Sequence, residues 1–333
     1  MKVLIVQTAF IGDVVLATPI IENLRDNFPN AIIDILVRKG NESLLDNNPH
    51  LRKVLVFNKK QQKYKNLISL IRQIRSQRYE YVINVQRFFT TGLITAFSKG
   101  KVKIGFDKNP LSLFFQKKVP HQIVAGQHEV DRNLTLIADM CTPRKRRPQL
   151  YPSSQDFEDV RREAKYLCIA PASVWFTKQF PIEGWVQLIN ELDDSIDILL
   201  LGAPGDKPLC EEIRKTSVKN NIETLAGKLT FLQSAALMKN AEMNFVNDSA
   251  PMHFASSVDA PVTVMYCSTV PEFGFGPLSE KSWVMQSSEP LACRPCGLHG
   301  KKECPEKHFL CGRISARQIL RSNGMISSGQ NLI

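Results

Sequence analysis

Short apolar runs alternate with helix-length segments along this chain, and the alternation stops once and then restarts. Runs of that length, bounded by turn residues, read as parallel strands covered on both faces. In the first series, strands are expected over 2–7, 31–37, 53–57, 81–85 and 102–106. A helix over 14–28, stopped at Asn27-Phe28-Pro29-Asn30, and a helix opening at His128 fall among and after them. From Cys141 to Pro152 three prolines and the run Arg144-Lys145-Arg146-Arg147 break all hydrophobic periodicity, which marks a domain boundary with a solvated basic linker. Strands then resume over 166–170, 196–201, 243–246 and 262–266, with helices over 153–165, 181–192, 207–219 and 230–240. Two successive series predict an α/β fold: two doubly wound Rossmann-like domains, residues 1–150 and 151–333, facing a cleft. A final helix over 314–322 packs back onto the body, with the first domain as a candidate seat.

Charge narrows the partner. Lys and Arg number 43 against 32 Asp and Glu, a net of +11, which favours a polyanion: nucleic acid, an anionic membrane surface or a phosphorylated substrate. The segment 58–78 sets Leu67, Ile68, Ile71 and Ile74 on one face, ringed by Lys59, Lys60, Lys63, Lys65, Arg72, Arg75 and Arg78. It is either a solvated face or a surface for anionic lipid or an acidic acceptor. No nucleic-acid-reading motif accompanies these charges, so no nucleic-acid partner is expected. The first βα turn holds one glycine, Gly12, so the G-x-G-x-x-G fingerprint of a nicotinamide enzyme is missing. No apolar run approaches the ~20 residues of a membrane span, and the hydrophobic start meets Asp13 too soon for a signal peptide, which points to a cytoplasmic location.

Candidate chemistry clusters where strands give way to helices. At Asn247-Asp248-Ser249-Ala250-Pro251-Met252-His253 an apolar strand ends and a helix begins, and the N–H groups of a first helical turn suit a diphosphate. Asp248 and Ser249 also serve as plain caps, and His253 as a packed core residue. Asp13 stands at the first strand's carboxyl end, either as a general base or as a helix cap. Gly12 and Arg87, the latter after the fourth strand, are candidate acceptor contacts. The loop Pro171 to Pro181 carries Ser173, Thr177 and Lys178, a point charge suited to phosphate, and Asp206 follows the next strand. Asp193-Asp194-Ser195-Ile196-Asp197 lacks the second acidic cluster of a metal site, so no cofactor is required.

Three stretches carry a resemblance: 2–19 with its Phe10-Ile11-Gly12-Asp13 turn, Trp175 to Pro181, and Asp248 to His253. In order and spacing along the whole chain it resembles the lipopolysaccharide heptosyltransferases, glycosyltransferase family nine, with the two-domain GT-B fold. The resemblance implies an N-terminal acceptor-binding and a C-terminal nucleotide-sugar-binding domain. It implies Asp13 as catalytic base, and Lys178, Asp248, Ser249 and His253 around the donor diphosphate. The implied reaction is inverting and metal-independent, with ADP-heptose as donor and the phosphorylated lipid A–Kdo inner core as acceptor; the alternatives are another nucleotide sugar on the same fold or, in a different class, a basic nucleic-acid-binding protein. Peripheral contact with the cytoplasmic face of the anionic inner membrane follows from such an acceptor.

Four of the eight cysteines, Cys293, Cys296, Cys304 and Cys311, fall within nineteen positions, with His299 and His308 between them. A CxxC start suits a structural zinc site, although the later pair lacks a second knuckle's tight spacing. Free thiols or a local disulfide are the alternatives. Cys168, Cys210 and Cys267 lie in or beside apolar runs, where buried free thiols are expected.

Overall fold

The structure, a computed structural model, describes residues 1–59 and 62–325, with the side chain of residue 63 left aside. Lys60, the Lys63 side chain and the polar tail beyond 325 therefore lie outside the described residues. The chain divides into two compact units, Met1–Tyr151 and Pro152–Ile333, within two residues of the expected boundary.

In the first unit a six-stranded parallel sheet is built from β1 (Lys2–Val6), β2 (Ile32–Arg38), β3 (Leu51–Phe57), β4 (Tyr81–Asn84), β5 (Val102–Phe106) and β6 (Lys117–Val119). Their order is β3-β2-β1-β4-β5-β6. The central strands are continuous apolar runs, Val3 to Val6 wholly buried, because helices cover both faces. Those helices are α1 (Ile11–Asn27), α2 (Lys63–Gln77), α3 (Phe89–Phe97) and the short α4 (Glu129–Leu134).

The second unit repeats the plan. After α5 (Ser154–Asp159) come β7 (Tyr166–Ala170), α6 (Ile182–Asn190), β8 (Asp197–Leu200), α7 (Lys207–Thr216) and β9 (Ile222–Thr224). Then follow α8 (Phe231–Asn240), β10 (Met243–Asn247), α9 (Ala250–Val258), β11 (Val262–Tyr266), β12 (Ser282–Gln286) and α10 (Ala316–Ser322). The strand order is β12-β11-β10-β7-β8-β9. Counted from each unit's own first strand, both sheets have the dinucleotide-fold order 3-2-1-4-5-6, whose ligand crevice opens where the order reverses. That reversal lies between β1 and β4 in one unit and between β7 and β10 in the other.

Three expectations need correcting. Helix α1 begins at Ile11, three residues early, so Asp13 sits inside the first turn rather than at its cap. Helix α5 ends at Asp159, since Arg161 to Lys165 offer no apolar face to bury. The basic run is not a free linker: Asn23 on α1 pairs with both the N–H and the carbonyl of Arg144 (2.7 and 3.1 Å). Lys145 pairs with Asp131 and Arg146 with Asp26. The buried amide of Asn23 thus finds its partners in the strap. Within the second unit, Ile319 and Leu320 bury α10 in that unit's own core, against α6. Among the described residues no helix is long and apolar enough to cross a membrane.

Candidate active site

At the reversal point of the first sheet the loop after β1 is pinned from three sides. Gln86, just after β4, accepts from the N–H and hydroxyl of Thr8 (3.0 and 2.7 Å). Lys59 donates to the Thr8 carbonyl (2.8 Å), and Asn41 to that of Ala9 (3.0 Å). The loop delivers the chain into α1 with Gly12 and Asp13 half-buried in its first turn. One Asp13 oxygen accepts the Phe10 N–H (3.1 Å), which fixes the carboxylate at the opening of the helix. Arg38 stacks 4.8 Å above the Phe10 ring and feels the Asp13 charge, although burial lowers its own pKa.

Beside these lies a group that the sequence did not single out. Glu129, at the head of α4, is ion-paired with Arg132, yet burial pushes its carboxyl up to about 7 against the pull of Arg132, and the charge of Asp13 adds to the rise. Arg87 acts on the same carboxyl. It also lines a cavity of about 510 Å³ with Phe88, Lys108, His121 and Ile123. His121 packs edge-on against Phe106, 4.8 Å between ring centres. Its burial, then the nearby Arg87 and Arg132, push its pKa down to about 4. The cavity thus presents two cations and a neutral imidazole to whatever enters it, a set that suits an anionic group.

At the reversal point of the second sheet Asn247 does the pinning. Buried at the end of β10, it accepts the Phe180 N–H (2.9 Å) and donates to the Pro171 carbonyl (2.7 Å), holding both ends of the loop from β7. Within that loop Lys178 meets Asp248, Nζ to Oδ2 at 2.6 Å, and Thr269 donates to the same oxygen (2.6 Å). An ammonium carries three N–H donors, so the ion pair orients Lys178 and leaves donors for a second anion. Ser249 is the N-cap of α9 and Ala250 its first residue, half-buried at the junction, while His253 is buried one turn along. Thr177 is turned to structural work, its hydroxyl accepting from Ser268 (2.9 Å) and from the Lys301 N–H (2.8 Å). Ser173 takes part through its carbonyl, which Gln179 binds (2.7 Å). Asp206 stands apart from the Lys178–Asp248 pair by its bonding: its carboxylate accepts the Ala203 N–H (2.8 Å) and closes the turn after β8.

The cysteine segment supports this loop. Arg294, inside the CxxC, donates to the carbonyls of Cys267 (2.6 Å), Tyr266 (3.2 Å) and Thr269 (2.7 Å), capping the carboxyl end of β11. All eight cysteines are free thiols, so no local disulfide forms. Among the described residues no three His, Cys, Asp or Glu side chains are grouped to hold a metal ion, and Cys293 reaches His308 only at 3.9 Å. The four thiols lie within electrostatic reach of one another, Cys311 feeling Cys296, Cys304 and Cys293, and Arg294 and backbone bonds hold the segment down. Burial raises the Cys311 thiol to about 11. Asn247 stood in the singled-out junction and Arg294 inside the CxxC without a role being read for either, while Thr269, Lys108 and His121 carried no motif signal, because each acts beside residues distant in sequence.

Two sheets of one strand order, each with its polar cluster at the reversal point, define the fold class: GT-B. Solved structures agree on the fold. E. coli ADP-heptose LPS heptosyltransferase II superposes with a TM-score of 0.82 at 20% identity, covering 98% of each chain. The E. coli heptosyltransferase WaaC with ADP gives 0.77 at 21% identity, covering 97% of this chain and all of that one. In sequence, lipopolysaccharide heptosyltransferase 3 of Escherichia coli is 27% identical over 278 residues, 78% of this chain and 82% of the relative. The chain belongs to glycosyltransferase family 9 (heptosyltransferase), whose model matches residues 67–309, and it is a glycosyltransferase.

Proposed function

We propose that this enzyme moves a heptose from ADP-heptose to the inner core of lipopolysaccharide, with a lipid A–Kdo molecule as acceptor and with inversion at the anomeric carbon. The observation that carries the reading is the Lys178–Asp248 pair beside the first turn of α9, at the reversal point of the second sheet. Helix N–H groups and an oriented ammonium together suit a nucleotide diphosphate. The second unit is then the donor domain and the first the acceptor domain.

In the proposed reaction an acceptor hydroxyl attacks the anomeric carbon as the bond from that carbon to the diphosphate oxygen breaks. Asp13 takes the hydroxyl proton, and ADP leaves with the bonding pair. Lys178, His253 and the α9 terminus balance the charge growing on the diphosphate, so that no metal ion is called on. Ser249 and Ala250 shape that anion seat, while Ser173, Thr177 and Asp206 contribute by fixing the loops around it. Gly12 lets acceptor approach the Asp13 turn, and Arg87 pairs with an acidic group of the acceptor. Such an acceptor is anchored in a membrane, so the enzyme works in peripheral contact with an anionic bilayer on its cytoplasmic face.

Calorimetric titration with ADP, UDP, GDP and NAD, with and without EDTA, tests the donor half. ADP is expected to bind best, unaffected by EDTA. A preference for UDP or GDP would keep the fold and change the sugar nucleotide. Loss of binding with EDTA would refute metal independence. Lys178→Ala should weaken ADP binding by about tenfold or more, as loss of a charged hydrogen bond does.

A further inference from the structure

The first unit holds the entire positive excess of the protein. Residues 1–151 carry 25 Lys and Arg against 11 Asp and Glu, a net of +14, while residues 152–333 carry 18 against 21, a net of −3. Excess positive charge confined to one unit calls for an anionic partner at that unit.

The same unit exposes large apolar side chains, and a subset of them falls in the loops that follow three neighbouring strands. Strands β4, β5 and β6 are neighbours at one side of the sheet. Leaving the carboxyl end of β4 are Phe88 and Phe89, 63% and 55% exposed. After β5 a turn, tied back by the bond from Ser112 to the Asp107 carbonyl (3.0 Å), presents Phe114 at 49%. After β6 come Ile123 and Val124, the latter 50% exposed. Phe88 and Ile123 also wall the cavity that Arg87 and Lys108 make cationic. Exposed Lys65, Arg72 and Arg75 on α2 extend the positive field. Aromatic and aliphatic side chains interleaved with Lys and Arg are the composition of an interfacial membrane surface.

We infer that the loops after β4, β5 and β6 form a membrane-insertion edge: Phe89, Phe114 and Val124 enter an anionic bilayer while the cavity beside them receives an anionic headgroup. The inference rests on the proposed lipid-borne acceptor and assigns the surface that meets it. The apolar residues supply the partition into the acyl boundary, and the net +14 supplies the attraction to anionic lipid, each making the other's contribution effective at the same edge.

The test uses full-length protein and vesicles that contain no acceptor. Wild type is expected to sediment with phosphatidylglycerol–phosphatidylethanolamine vesicles and to ignore phosphatidylcholine ones. The triple variant Phe89→Ser, Phe114→Ser, Val124→Ser should partition about tenfold or more weaker, since three apolar side chains leave the interface. Because all three are exposed, its thermal unfolding should match wild type. A single Phe114→Trp variant reports insertion directly, by a blue shift and by quenching with brominated lipid. Equal sedimentation of the triple variant, or no sedimentation of wild type, would overturn the inference. So would a changed oligomeric mass with unchanged vesicle binding, which would make a second copy of the chain the occupant. Heptose transfer to a deacylated, water-soluble acceptor should be the same for wild type and triple variant. Absence of that transfer in both would count against the proposed function alone, because vesicle binding is read without it.

Discussion

Asp13 is held by a bond that any helix could use: its carboxylate closes on the Phe10 N–H as a first-turn acid often does. What separates it from an ordinary first-turn acid is its company: its charge acts on both Arg38 and the half-buried Glu129. Asp13→Asn keeps the hydrogen-bonding shape and removes the basicity, so transfer should fall by about 10²–10⁴ while ADP binding is unchanged. Single-turnover kinetics beside calorimetry would separate the two, and near-wild-type turnover would remove Asp13 from the mechanism. His121 gives a pH signature. Unfolded, it takes up a proton near its ordinary value of 6.5, but folded only at about 4. Its contribution to stability is therefore complete above about pH 6.5 and is lost as pH falls toward 4. His121→Gln should flatten the stability profile in that window, as followed by urea denaturation at stepped pH.

At the scale of elements, the segment from Cys293 to Cys304 braces the loop that carries Thr177 and Lys178. Gly300 has φ +73°, and a Cβ there would lie 2.8 Å from Cγ of Lys178 and 3.1 Å from Cβ of Trp175. Gly300→Ala should therefore displace Lys178, raising the ADP dissociation constant by about tenfold and costing about 1–2 kcal/mol of stability. Calorimetry and denaturant titration read the two effects, and unchanged ADP affinity would separate the brace from the site. Nothing in the sequence announces this contact, since Gly300 and Lys178 meet only through the fold. Central strands were legible for the opposite reason: β1, β7, β10 and β11 are buried on both faces and are therefore mostly apolar. The strands that escaped, β6, β9 and β12, are all sheet edges, two of them only three residues long and with polar side chains in the run. The site followed the same division. Asp13, Lys178 and Asp248 stand at strand-to-helix junctions, where the chain order itself marks them. Lys108 and His121 reach the cavity from loops around an edge strand with no apolar pattern, and Thr269 and Arg294 come in from β11 and beyond.

At the scale of the whole molecule, charge divides the labour: +14 on Met1–Tyr151 and −3 on Pro152–Ile333. The proposed donor is bound at short range, by Lys178, which Asp248 holds at 2.6 Å, and by a helix terminus, where salt screens little. The proposed acceptor is a polyanion drawn by a diffuse field from exposed Lys and Arg, where screening is strong once separations exceed the Debye length of about 8–10 Å. The two substrates should therefore respond differently to ionic strength. Raising salt from about 20 to about 300 mM should increase the acceptor KM by about tenfold, because the Debye length falls severalfold over that range. The ADP dissociation constant should change by less than about threefold under the same conditions, since its partners are in contact. Steady-state kinetics with a deacylated acceptor, run beside ADP calorimetry, read both on one preparation. Equal sensitivity of the two would mean that donor affinity also draws on the first unit's field, and the assignment of one substrate to each unit would fail.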